Sequence, residues 1–111
     1  MNLDFEDKFR GCIKKIGDIG NLYAEAKGQS WQMQEMKGSV LASLINSLEG
    51  PVTQREITAK ASDDYKKHLS ETAQAIKKEL QLKSQYEMWK ASFEALRSLS
   101  SLEKATQKEI R

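Results

Sequence analysis

Five cations recur at every seventh residue near the end of this sequence: Lys83, Lys90, Arg97, Lys104 and Arg111. On a helix that spacing draws one stripe, drifting only about 20° per heptad. Lys77, Lys78 and Lys108 are near enough to extend it. A ridge of ammonium and guanidinium groups can track a phosphate backbone, displacing condensed counterions as it binds. The same residues admit a quieter arrangement. Glu87 and Glu94 stand four positions after Lys83 and Lys90, the spacing at which helical charges pair along a solvated face.

Bond-making chemistry finds less material. His68 is the only histidine; it follows Lys66 and Lys67, with no set of Cys, Asp or Glu at metal-ligand spacing around it. It reads as a solvated histidine on a helix surface. Cys12, the only cysteine, falls in an apolar seam and reads as a small core residue, since a nucleophilic thiol needs a lowered pKa and access. Gly17-Asp18-Ile19-Gly20 matches a bare G-x-x-G, but no strand precedes it and no lysine follows in phosphate-loop register. Two small residues three apart fit close helix approach better. The expectation is a protein that is not an enzyme, with no cofactor, no metal and no small-molecule substrate.

Aromatic residues offer a second kind of contact. Tyr86, Trp89, Phe93 and Trp31 could stack on unpaired bases if exposed, but Trp89 and Phe93 sit at seam positions, where aromatics usually fill a core. Trp31 lies off the strict seam and is the expected exposed aromatic and interface anchor. With Met33 and Met36, these side chains present more apolar surface than one partner helix covers. Trp31, Met33, Met36, Trp89 and Phe93 are therefore the candidate interface, and self-association into a bundle is expected.

These residues must be carried by long helices. Apolar or small residues at Phe5, Phe9, Cys12, Ile16, Ile19, Tyr23 and Ala26 alternate steps of four and three, the spacing of a heptad seam. The seam pauses around Gly28 to Ser30 and resumes at Met33, Met36, Val40, Leu44 and Leu48. Either one arm runs over about 3–48 or two shorter helices meet near Gly28; strong helix formers flank the pause and no proline intervenes, which favours the continuous arm. Glu49-Gly50-Pro51 ends it, because glycine accepts a left-handed cap and proline cannot continue a helix. Thr53-Gln54-Arg55-Glu56 has the form of a capping box opening a short helix to about 61. Ser62 then reads as the N-cap of a second arm over about 63–108, with Asp63 and Asp64 in its first turn. Its seam runs Tyr65, Leu69, Thr72, Ile76, Leu80. After a slip in phase it continues Leu82, Tyr86, Trp89, Phe93, Leu96 and then Leu99 or Ser100.

Composition agrees with an all-α hairpin. The 111 residues fit a single helical domain over 1–111, joined by a connector at 49–62. Apolar residues make up 39% and charged residues 31%, thin material for a globular core. Residues 1–54 carry a net charge of about −1 and residues 55–111 about +3, so the basic excess sits in the second arm. A lone cysteine, an acidic start (Asp4, Glu6) and no long apolar run predict a cytoplasmic protein that avoids membranes.

Some of these residues occur together elsewhere. The stretch Val40-Leu41-Ala42-Ser43-Leu44, then Thr53-x-Arg55-Glu56, Ala59, Ser62-x-x-Tyr65 and Leu69, resembles the middle of small helical phage proteins. Trp89-x-x-x-Phe93-Glu94-x-x-Arg97-Ser98-x-Ser100 resembles their C-terminal helix. Such proteins are encoded among phage replication and recombination genes, and some act as recombination mediators or single-stranded-DNA accessory factors. The resemblance implies an oligomeric helical protein that binds single-stranded DNA, a recombination protein or both, in the bacterial cytoplasm. The near-neutral charge departs from that pattern and adds weight to a protein partner. On that alternative the chain is a helical adaptor or inhibitor without nucleic-acid affinity. Small helical hairpins of the type VII export family share this length, but their Trp-x-Gly turn is replaced here by Glu49-Gly50-Pro51. Their C-terminal Tyr-x-x-x-Asp/Glu signal fails too, since Tyr86 is followed by Lys90.

Overall fold

In a computed structural model the described residues, 3–110 for the backbone and 4–108 for side chains, form three helices and no strand. Helix α1 spans Leu3–Asn46, α2 Val52–Ala61 and α3 Asp63–Ile110. The fold is all-α, a hairpin of two long helices with a short one in the connector. Helix α1 runs through Gly28 without a break, as its flanking residues predict.

The connector is built from local hydrogen bonds. The Ser47 hydroxyl donates to the Leu44 carbonyl at 2.7 Å, and Gly50 turns the chain with φ of 108°. That backbone angle is one side chains rarely adopt, so glycine suits the position. Helix α2 begins two residues earlier than the capping-box pattern predicts, at Val52. Its N-cap is Pro51, with no side-chain cap bond, and Thr53 and Glu56 lie inside the helix. The proline ring presets φ near −61°, and the Pro51 carbonyl accepts from Arg55 N–H at 3.0 Å. That fixed entry leaves the threonine no capping role.

Ser62 joins α2 to α3. Its hydroxyl accepts from Tyr65 N–H at 3.2 Å and donates to the Ala59 carbonyl at 2.6 Å. One side chain thus closes one helix and opens the next, with Asp63 and Asp64 on the positive end of the new dipole. Replacing Ser62 with alanine should cost about 1 kcal/mol, read as a lower midpoint in urea. An unchanged midpoint would show that the cap contributes nothing.

The chain divides into two compact units, Met1–Ala24 with Gln81–Arg111, and Glu25–Leu80. In the first unit Phe9 meets Phe93 edge to face, with centroids 5.4 Å apart, and Tyr23 meets Tyr86 at 6.0 Å. Higher numbers on α1 thus lie beside lower numbers on α3, the mark of antiparallel packing. In the second unit Gln29 and Met33 lie beside Glu71, Gln74, Ala75 and Lys78.

Burial corrects the predicted seams. On α1 the step across the pause is made by Ser30, which is fully buried and accepts from the Gln34 amide at 3.0 Å. Met36, predicted to be in the seam, is exposed. On α3 no phase slip occurs. Positions 65, 68, 72, 75, 79, 82, 86, 89, 93, 96, 100 and 103 all turn inward in unbroken steps of three and four. His68 and Glu79 fill places expected of Leu69 and Leu80, and Leu80 is 54% exposed. The reason is geometric. Knobs-into-holes packing needs a 3.5-residue period along each helix, so the seam keeps its phase and accepts polar side chains where they fall.

Candidate nucleic-acid interface and apolar groove

Written as a heptad with Tyr65 and Phe93 at a, α3 has Trp89 and Leu96 at d. Lys83, Lys90, Arg97 and Lys104 then all occupy e. The supercoil period that holds the seam inward also holds this row on one flank, at intervals of about 10 Å. All four side chains are exposed, as is Lys108 one turn beyond Lys104. Arg111, the last candidate of the stripe, lies outside the described residues. Lys77 and Lys78 belong to the second unit, whereas the row itself lies in the first.

The charges do not pair as their i,i+4 spacing suggests. Glu94 accepts from Arg97 at 3.1 Å, three residues on, while the Lys90 ammonium stands 5.2 Å above the Tyr86 ring. Tyr86 is held from the other helix by the Gly20 backbone: a Cβ there would come within 3.1 Å of the ring. Gly20 thus supplies the close approach anticipated for the G-x-x-G, whereas Gly17 has nothing near it. The ring position then sets where Lys90 points, an ordering worth about 0.5–1 kcal/mol at an exposed site. Lys83 and Lys104 make no ion pair with a described residue. Each exposed pair present contributes little, so the row retains most of its charge for a partner.

The predicted interface residues separate. Trp31, 63% exposed, and Met36 face solvent in the second unit, where Met33 is half-buried. Trp89 and Phe93 lie half-buried in the seam of the first unit, so they serve its packing first. Sequence reasoning missed a different surface. On the flank of α3 away from the lysines, an open groove of about 510 Å³ lies between Lys8, Gly11, Cys12 and Lys15 of α1 and Trp89, Ser92, Leu96 and Leu99 of α3. Its α3 wall continues through exposed Met88 and Leu102. The signal was present as a second set of four–three steps: 88, 92, 95, 99, 102.

His68 does not stand in solvent as expected. It is half-buried, and its Nε2 is shielded without a hydrogen-bond partner. Cys12 is buried and free, at the groove floor. Among the described residues no three His, Cys, Asp or Glu side chains converge on one point, and no helix is long and apolar enough to cross a membrane. No protein-family model, curated protein or solved structure matches this chain.

Proposed function

We propose that this chain is a non-enzymatic accessory factor that binds single-stranded DNA along the e flank of α3. The setting is the phage-type recombination or replication that its resemblance implies. The observation that carries the reading is the row Lys83, Lys90, Arg97 and Lys104, exposed on one flank, of which only Arg97 is ion-paired with a described residue. Four backbone contacts to a single strand give log K a slope of about −2.8 against log salt. Anisotropy of a labelled single-stranded oligonucleotide should therefore weaken about 50-fold between 50 and 200 mM salt. No binding at the lower salt would reduce the row to a solvated face.

A second reading rests on Trp31. A tryptophan 63% exposed in mid-helix has the character of an anchor for a protein partner. As an adaptor the chain would capture a recombination protein with no salt-sensitive affinity for DNA.

A further inference from the structure

Steps of four and three along α3 join the cations at e to the neighbouring positions at b. From Lys83 the path reads Lys83, Glu87, Lys90, Glu94, Arg97, so cations and carboxylates alternate. Beyond Arg97 it continues Ser101, Lys104, Lys108, and a hydroxyl and a further cation stand where the next acids would fall. Residues at these steps are about 5–6 Å apart between Cβ atoms. That is within the ~8 Å over which salt screens exposed charges. A phosphate beside Lys90 therefore feels Glu87 and Glu94 as well. One beside Lys104 meets no carboxylate three or four residues away on the helix, and Glu103 turns inward at d. On the same flank of α1 stands Glu6, which Arg10 offsets four residues on.

We propose that this carboxylate-free stretch is the anchoring subsite for the strand: one phosphate of single-stranded DNA sits between Arg97 and Lys104, over the Ser101 hydroxyl. The inference rests on the nucleic-acid reading, gives it a place on the helix and adds Ser101 as a binding residue. Hydrogen bonding supports the assignment. Ser92 and Thr106 donate to their own helix, to the Met88 and Leu102 carbonyls at 3.0 Å each. Ser98 and Ser101 make no hydrogen bond to a described residue, so their hydroxyls can donate to a phosphate oxygen. Both line an open depression of about 510 Å³ with Glu94, Arg97 and Leu102. Glu94 holds only Nη1 of Arg97, at 3.1 and 3.3 Å. Nε and Nη2 of the guanidinium remain for the phosphate. Lys108 occupies the last turn, where the helix dipole would otherwise repel an anion.

Charge placed at position 101 tests the subsite in both directions, with the full chain and a labelled single-stranded oligonucleotide at about 150 mM salt. Ser101→Glu should bind about 15-fold more weakly, since its carboxylate engages Arg97 and Lys104 and each lost contact removes about 0.6 logarithmic unit. Ser101→Lys should bind about fourfold more tightly, by one added contact. Ser84 is an exposed serine next to Lys83, off the path and about 25 Å along the helix from Ser101. The same two substitutions there should shift affinity less than about twofold, because the added charge lies about three screening lengths from the subsite. Glutamate and lysine both favour helix over serine, so ellipticity should hold, and either variant alone reads the site if the other unfolds. Equal shifts at 101 and 84 overturn the subsite and leave the row standing. So does a folded Ser101→Glu with wild-type affinity, or a folded Ser101→Lys that binds no tighter. A wild-type chain that binds no strand at about 50 mM salt overturns the nucleic-acid reading itself, and the subsite with it.

Discussion

Replacing Phe93 with alanine should lower the stability of the first unit by about 2 kcal/mol. A fully buried phenylalanine costs 3–5 kcal/mol on truncation, but Phe93 is half-buried, which removes a good part of the transfer term. Its edge-to-face contact with Phe9 at 5.4 Å adds about 0.5–1.5 kcal/mol beyond area. For a chain of this length the melting temperature should fall by about 8 °C, followed by ellipticity. A double-mutant cycle with Phe9→Ala isolates the ring pair, and its coupling should match that 0.5–1.5 kcal/mol. A coupling near zero would mean that the rings merely share a neighbourhood. Because the exposed seam of α3 is adjacent, the melt should be compared at fixed protein concentration.

The size of that effect reflects how thin the core is. Among described residues the buried apolar ones are Cys12, Ala26, Ala59 and Tyr65, and the largest side chain to be fully buried is that of a serine, Ser30. Among these described residues no bulky aliphatic side chain is sealed from water. Two helices touch along a line, so each aromatic on that line is wetted on its outer edge. Few contacts share the load, and losing one is felt. The same geometry explains why apolar groups remain on the far flank of α3: a hairpin has no third helix to cover them.

How much was legible follows from what a heptad reader counts. The positions Phe5 to Ala26 and Leu82 to Phe93 were assigned correctly because apolar residues recur there at every step of three or four. Where polar residues occupy the seam, hydropathy looks sideways to the nearest leucine. It chose Leu80 over Glu79, invented a phase slip to reach Leu82, and passed over Ser30 and His68. The backbone period does not change with side-chain polarity, so spacing was the better guide than hydropathy. A long side chain such as Glu79 can lay its methylenes along the seam with its carboxylate outward. His68 has no such escape, and its shielded Nε2 is the cost of keeping register. Polar groups in a seam lower stability but specify alignment. The lysine row was legible because strict sevenfold spacing needs no tertiary knowledge. Its counter-charges were not, since Glu94 chose Arg97 at three residues over Lys90 at four, and Lys90 turned to Tyr86.

Changing Lys83, Lys90 and Arg97 together to glutamine should weaken single-stranded DNA binding about 50-fold at 150 mM salt. Each phosphate neutralised on a single strand releases about 0.7 counterion, and three lost contacts remove about 1.7 logarithmic units at that salt. The salt slope should flatten in step, from about −2.8 to about −0.7, leaving Lys104 as the remaining cation of the row. Glutamine keeps the helix propensity of lysine and arginine closely, and all three positions are exposed, so helicity should hold. Lys90→Gln forfeits the contact over Tyr86, and Arg97→Gln leaves Glu94 unpaired beside the strand, a repulsion that adds to the loss. A matched variant with Lys60, Lys66 and Lys67 changed to glutamine removes the same formal charge from exposed sites in the other unit. If the two triples weaken binding equally, net charge and not the row carries the affinity. If only the first does, with the flattened slope, the strand lies along α3.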